Sequence, residues 1–341
     1  MRYNLYIKGI IKRPGVQLKR EILAFGSIVI DNVLVVKRFA AVNETVHAEK
    51  YRYTYGGAGA NVAVAAARLG ARSSLFAVAG SDFERTNYKE HLIKEGVDIT
   101  GVLPAPFLMP RSFIISRENS DDQILYYYEN RKGTAKILFE NSQKAVELAN
   151  EHEVCHFSTG HFEFYYHILK RKEIRSVVSF DPGQETFSYP YRVVRLIPYC
   201  HMLFMNKYEA KRIKELLKVK TIREIKGPKL ICVSLGAQGA IVYFKGQCYR
   251  IPAVKPKRVV DPTGAGDSHR AGFLVALLRG YAVETAGRIA ATVASFVIEA
   301  EGAQTNLPRW EQVVKRYEEF FKEPFPQPQR SWEEIKRELL S

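Results

Sequence analysis

Apolar positions along the chain follow two different periods. Glu21 to Ile30 is a nearly continuous apolar run that closes on Asp31. Such a run predicts a buried strand that reaches a site at its end. Lys50-Tyr51-Arg52-Tyr53-Thr54-Tyr55 alternates, as do residues 112–117 and 123–128 around an Asn119-Ser120-Asp121-Asp122 turn. These predict thin antiparallel strands exposed on one face. Val62 to Leu69 is Ala-rich, follows Gly56-Gly57-Ala58-Gly59 and stops at Gly70, which is helix punctuation. Ser74 to Ala79 predicts a strand, and Tyr88 to Lys94 a helix that ends at Gly96.

From about residue 135 the two periods alternate. Helices are expected at 142–151, 164–172, 191–197 and 208–217, and strands at 153–158, 176–180, 201–205 and 229–234. An antiparallel pair follows over 241–251, then helices at 266–279 and 284–299. This βαβ rhythm predicts an α/β fold: a doubly wound, mostly parallel sheet flanked by helices. The alternating segments at about 33–55 and 107–130 read as insertions that build a small β-sheet lid. Residues 1–22 read as a basic N-terminal arm and 23–322 as the main domain. Residues 323–341 read as a Pro-rich link (Pro324, Pro326, Pro328) with a final helix.

Composition narrows the function classes. The 341 residues carry 51 Lys and Arg against 36 Asp and Glu, a formal net charge of +15. A basic surface favours anionic partners without choosing among them. Cys155, Cys200, Cys232 and Cys248 form no C-x-x-C pair, which argues against a disulfide framework and for a reducing cytoplasm. No apolar stretch approaches the roughly 20 residues of a spanning helix. Pro14 and Gly15 interrupt the basic start where a signal peptide needs an apolar segment. The expectation is a soluble cytoplasmic protein that uses neither membrane nor specific nucleic acid.

The densest chemistry lies in Asp261-Pro262-Thr263-Gly264-Ala265-Gly266-Asp267, where a β run ends and a helix begins. A helix start leaves unpaired N–H groups and a partial positive charge, and glycines let an anion approach them. Asp267 would repel a bound phosphate unless it has work to do there. Accepting a proton from an attacking hydroxyl is such work. Stabilisation of its own helix as a first-turn acid is the alternative.

This segment resembles the C-terminal signature of the ribokinase (PfkB) family of sugar and nucleoside kinases. Gly56-Gly57-Ala58-Gly59-Ala60-Asn61 resembles the family's N-terminal Gly-Gly signature. Gly26 to Asp31, Gly80-Ser81-Asp82, Asn206-Lys207-Tyr208-Glu209, Ser234 to Ala240 and Glu301 to Pro308 resemble further family segments. Ser179 to Gln184, Phe204 to Lys207 and Ala294 to Ala300 are most similar to archaeal nucleoside kinases of the family. The resemblance covers roughly 22–315 and departs from the family at His269, which is read as a packing residue.

The resemblance implies a ribokinase-like fold and an ATP-dependent, magnesium-requiring kinase. The acceptor would be the 5′-hydroxyl of a ribonucleoside of the inosine, guanosine or cytidine type. Asp267 would be the base, and the amides of Gly264, Ala265 and Gly266 would hold the moving phosphoryl group. Asp31, Gly57 and Asn61 would bind the sugar, and Gln184 a base edge. Ser234, Gly236, Gly239, Thr263 and Asn206 would line the ATP side. Asn206 and Glu209 would hold magnesium through water; an Asn-x-x-Glu helix cap explains the same pair. A monovalent-cation requirement stays open, and a homodimer is expected because lids in this family often pair. Arg111 in the lid keeps a sugar-phosphate acceptor, such as fructose 6-phosphate, as an alternative.

Two further readings compete. His152-Glu153-Val154-Cys155-His156 fits H-E-x-x-H, but the segment reads as a strand, which spreads the two rings about 13 Å apart. Net charge and the basic stretches 168–175 and 207–220 allow an RNA-binding protein without catalysis, although no RNA-binding signature is present.

Overall fold

A computed structural model describes residues 20–118, 120 and 122–341. Most of the expected arm (residues 1–19), and Asn119 and Asp121 of the expected turn, lie outside the described residues.

The strands are β1 (Arg20–Phe25), β2 (Val29–Val36), β3 (Lys50–Gly56), β4 (Ser73–Ala79), β5 (Val102–Pro104), β6 (Arg111–Arg117) and β7 (Gln123–Tyr128). They continue as β8 (His152–Phe157), β9 (Val177–Phe180), β10 (Met202–Asn206), β11 (Leu230–Ser234), β12 (Ala240–Phe244) and β13 (Gln247–Ile251). Two sheets form, ordered β13-β12-β11-β10-β9-β8-β1-β4-β5 and β3-β2-β6-β7. In the large sheet β5 through β11 run parallel, and β12 and β13 add an antiparallel edge.

The helices are α1 (Ala58–Arg68), α2 (Tyr88–Lys94), α3 (Arg131–Glu140), α4 (Ser142–Asn150), α5 (Phe162–Leu169) and α6 (Glu185–Ser188). After them come α7 (Pro190–Leu196), α8 (Lys207–Leu217), α9 (Ala265–Leu278), α10 (Val283–Val297), α11 (Trp310–Phe321) and α12 (Trp332–Leu340).

Strand geometry sends alternate residues to opposite faces. Ile22 and Ala24 of β1 join the core formed with α1, α9 and α10. Leu23 and Phe25 join the other core, with α4, α5, α7 and α8. Both faces of the large sheet are therefore covered, which is why its strands are almost uniformly apolar. The tail is fastened to this body. Trp332 Nε1 and Lys336 Nζ of α12 donate to Glu153 Oε2 of β8 at 2.9 and 2.6 Å.

Three expectations need correction. The run from Glu21 to Asp31 is not one strand. It breaks at Gly26-Ser27-Ile28, and Asp31 lies inside β2 of the small sheet. Gly26 passes so close to α1 that a Cβ on it would lie 2.7 Å from Gly59 Cα, so the chain turns out of the large sheet there. The small sheet therefore starts at Val29, ahead of the expected insertion. Finally, α3 was not foreseen. Its start is fixed by Asn130 Oδ1, which accepts from the Gly133 amide at 3.0 Å.

Candidate active site

The parallel strands all end on the side that faces the small sheet. A cleft of about 1190 Å³ runs there along neighbouring strand ends, from Ser234 at the end of β11, past Asn206 and Asp181, to Gly26 after β1. Pro262, Thr263, Gly264, Gly266 and Asp267 form one wall; Asp31, Gly57 and Asn61 form another.

The turn before α9 is built by its own side chains. Asp261 Oδ1 accepts the Thr263 amide and its Oδ2 the Gly302 amide, both at 2.9 Å. Gly264 has φ 78°, and a Cβ on it would lie 2.7 Å from Ala303 Cα. The first bond into the helix is Ser268 N–H to Gly264 C=O at 2.9 Å. The N–H groups of Gly264, Gly266 and Asp267 precede that bond and stay free of it. Ala265 differs from expectation: its N–H closes the turn onto the Pro262 carbonyl at 3.2 Å. The amides left free for an anion are therefore those of its neighbours.

Asp267 sits at the back of the cradle, half-buried and crowded by protein. Its Oδ2 accepts from Asn61 Nδ2 at 2.7 Å. Burial pushes its carboxyl up to about 6, with the Asn61 bond pulling down and Asp181 pushing further up. Below it lies Arg270, buried, with Nε 2.5 Å from Asp181 Oδ2. Gly266 makes room for this group, since a Cβ there would lie 3.3 Å from Arg270 Cζ. Neither Arg270 nor Asp181 was singled out as a site residue from sequence. The available signal was a charge one turn after Asp267, on a helix whose residues from Ser268 to Leu277 are all buried.

Asn206 and Glu209 form a capping box. Asn206 Oδ1 accepts the amides of Tyr208 and Glu209, each at 2.9 Å. Glu209 takes the Asn206 backbone N–H at 2.8 Å and its Nδ2 at 2.7 Å. Burial, then repulsion from Asp181, pushes the Glu209 carboxyl up to about 7.

On the facing wall, Asp31 accepts from the Ser112 hydroxyl, and burial raises its affinity for a proton. Gly57 caps α1 with φ 95°. Ser234, Gly236 and Thr263 line the cleft, and Gln184 lies exposed at its rim. Two expected residues are elsewhere. Arg111 is paired with Asp82, which also accepts the Met109 amide at 2.8 Å, and it does not line the cleft. Gly239, with φ 88°, packs 2.8 Å (at its would-be Cβ) from Ala253 N behind the wall, where it shapes the loop.

The cleft continues past Asp31 to an end lined by Tyr127, Phe164 and Tyr165. Glu129 and His161 meet there at 2.7 Å, and Arg131 bridges Glu129 and Glu185 at 3.5 and 3.3 Å. Sequence reasoning read 123–128 as an alternating strand of the lid and missed the charged group. The two histidines of the H-E-x-x-H match lie along β8. His152 is held by the Leu148 carbonyl and the Ser74 hydroxyl, and His156 by the Ser179 hydroxyl. His269 is buried against Phe273, at a ring distance of 6.4 Å.

The Gly-rich turn before α9 is closed by the half-buried carboxylate of Asp267, and a model of the pfkB family carbohydrate kinases matches residues 19–310. The chain belongs to this family. A nucleoside kinase of Methanocaldococcus jannaschii is 35% identical over 300 residues, covering 87% of this chain and 97% of that one. A nucleoside kinase of Methanothermobacter thermautotrophicus is 36% identical over 303 residues, covering 87% and 96%. The crystal structure of the M. jannaschii enzyme, described as an archaeal member of the ribokinase family, matches with a TM-score of 0.80 at 34% identity, covering 88% and 98%. As a pfkB family member the chain is a phosphotransferase with an alcohol group as acceptor. Its α/β fold with a separate small sheet is the ribokinase fold expected from the motifs. No helix among the described residues is long and apolar enough to cross a membrane.

Proposed function

We propose that this pfkB kinase transfers the γ-phosphoryl group of ATP to the 5′-hydroxyl of a ribonucleoside. The observation that carries the nucleoside reading is the shape of the cleft. Beyond Asp31 and Asn61 it opens into the end lined by Tyr127, Phe164, Tyr165 and Glu129. A bare sugar leaves that end empty, whereas aromatic walls beside the polar cluster of Glu129, His161 and Arg131 suit a flat base with hydrogen-bonding groups on its edge. The fructose 6-phosphate alternative rested on Arg111, whose guanidinium is engaged by Asp82.

Phosphoryl transfer needs positioning and charge neutralisation more than covalent chemistry. Asp267 takes the proton of the acceptor hydroxyl, while the amides of Gly264 and Gly266 and the positive end of α9 face the transferring oxygens. Arg270 keeps the neighbouring carboxylates from repelling the phosphates. The small sheet acts as a lid that keeps water, a competing acceptor, off the phosphoryl group.

Magnesium fits this site in one way. Both lone pairs of Asn206 Oδ1 are used by the capping box, so Asn206 is not a direct ligand. Among the described residues no three acid, His or Cys side chains converge on one point. Three carboxylates, Asp181, Glu209 and Asp267, face the single Arg270, and with such a surplus Glu209 and Asp181 would hold a hydrated magnesium ion. Bound there, the ion would supply neutralisation of phosphate charge.

Three experiments test this function. With ATP and magnesium, kcat/KM is expected to be higher for inosine, guanosine or cytidine than for fructose 6-phosphate, and the reverse order sinks the proposal. Glu129→Gln is expected to lower kcat/KM for the preferred nucleoside about tenfold or more, the scale of one charged hydrogen bond. Turnover of D-ribose, which lacks a base, should stay unchanged. An equal loss on both substrates would assign Glu129 to the fold instead. Gly264→Ala probes the cradle. Left-handed strain of about 1–2 kcal/mol and the push against Ala303 move the amides, so KM for ATP should rise roughly tenfold. An unchanged KM would remove the cradle from nucleotide binding.

A further inference from the structure

Behind Asp267 lies a chain of buried polar groups whose donor and acceptor roles can be assigned one by one. The Tyr88 hydroxyl, fully buried, donates its only proton to the Gly56 carbonyl at 2.6 Å. Its 2.7 Å contact with Gln304 Nε2 is therefore a bond that it accepts. The second Nε2 proton of Gln304 goes to Asn61 Oδ1 at 2.9 Å. Gln304 Oε1 is then left to accept from His91 Nε2 at 2.9 Å, which fixes the proton on that nitrogen. The Tyr55 ring stacks on Tyr88 and His91 at 4.4 and 4.6 Å and holds both rings in place.

These assignments leave Asn61 no choice. Its oxygen faces Gln304, so its Nδ2 must face Asp267. An inverted amide would set oxygen against oxygen at Asp267 and N–H against N–H at Gln304. Gln304 and Asn61 are each 6% exposed, so water is not at hand to repair such a mismatch.

We propose that Gln304 is a positioning residue for phosphoryl transfer: it locks the Asn61 amide so that Nδ2 holds one oxygen of Asp267 and leaves the other to the acceptor hydroxyl. This rests on the reading of Asp267 as the base. The charged groups that face Asp267 are Arg270 on its own helix, Asp181 after β9 and Asp31 on β2, and Arg270 also faces Glu209. On the Gln304 side the titratable groups are His91, Tyr88 and Tyr55, with Glu90 acting on Tyr55. None of these changes in the variants below.

The test compares Gln304→Glu and Gln304→Met in the full-length enzyme. Gln304→Glu can accept but not donate, so Asn61 turns its Nδ2 toward the new carboxylate and its oxygen toward Asp267. The expected result is a fall in kcat of about 100-fold, the scale of a misplaced catalytic group, exceeding any rise in the nucleoside KM from the turned Asn61 amide. The acid limb of kcat/KM should move up by about one pH unit, because Asp267 has lost a donor. Gln304→Met adds no buried charge and merely frees Asn61. It should lower kcat about tenfold and move the limb the same way by less. A role confined to folding lowers the melting temperature but leaves kcat per active site and the limb in place. A folded Gln304→Met enzyme with wild-type kcat and wild-type acid limb overturns the proposal. If Asp267→Asn kept wild-type turnover, the reading of Asp267 itself would fail; an inactive Asp267→Asn beside an unmoved Gln304→Met condemns only the role of Gln304.

Discussion

Asp267→Asn is expected to lower kcat by about 10³-fold while nucleoside binding stays within a few-fold. A positioned general base contributes on the order of 10²–10⁴. The substitution keeps the shape of the side chain, and its oxygen can still accept from Asn61 Nδ2, now 2.7 Å from Asp267. Initial rates of ADP formation together with nucleoside titration calorimetry check both halves. Turnover near that of the wild type would remove Asp267 from the chemistry. The same carboxyl sets the pH profile. Its affinity for protons is raised by burial to about 6, so the base form is lost as pH falls through that value and kcat/KM should decline on the acid side there. The apparent value belongs to the cluster of Asp267, Asp181 and Glu209 around Arg270 rather than to one group alone. For stability the sign is opposite to that of an ordinary paired carboxylate. The fold prefers the protonated form, so this contribution is present below the unfolded value of 3.8 and lost as pH rises through about 6. Above that range Asp267→Asn should be at least as stable as the wild type. The gain is roughly 1–2 kcal/mol, since one face of the carboxylate opens to the cleft and solvent there weakens the effect.

Arg270→Met is expected to damage the fold as well as the reaction. Arg270 is buried, pairs with Asp181 at 2.5 Å and feels the charges of Glu209 and Asp267. Removing one partner of a buried ion pair costs about 3–5 kcal/mol because the stranded charge has no solvent. For a chain of 341 residues that corresponds to a melting temperature lower by roughly 4–7 °C. The loss should be smaller at pH 5 than at pH 8, because Glu209 and Asp267, both raised by burial, can take up protons and shed their charge. Thermal unfolding at the two pH values measures this. A melting temperature within about 2 °C of wild type at pH 8 would show that the cluster does not depend on Arg270.

The large sheet was legible because its strands are short apolar bursts between helices that stop at Gly. Tyr88–Lys94, for example, is observed with the bounds that its pattern predicts. The turn at Gly26-Ser27-Ile28 was hidden because Gly26 and Ser27 interrupt the apolar run for only two residues. It is forced by two backbones, at Gly26 and Gly59, that meet only in three dimensions. Helix α3 was missed because Gly133 and Thr134 break its apolar pattern, leaving Asn130 as its lone start signal. The cradle was readable from one contiguous segment. The Asp181–Arg270 pair and the links from Asn61 to Gln304 join residues far apart in the chain, which no local pattern encodes.

Arg20 at the start of β1 bonds the Glu151 carbonyl at 3.1 Å, and α12 grips Glu153 two residues later. The final helix is thus anchored at the edge where the parallel strands begin, whereas the cleft occupies the edge where they finish. A bead, dye or fusion partner coupled through Ser341 would hang from the blind side of the molecule and leave the mouth facing the bulk.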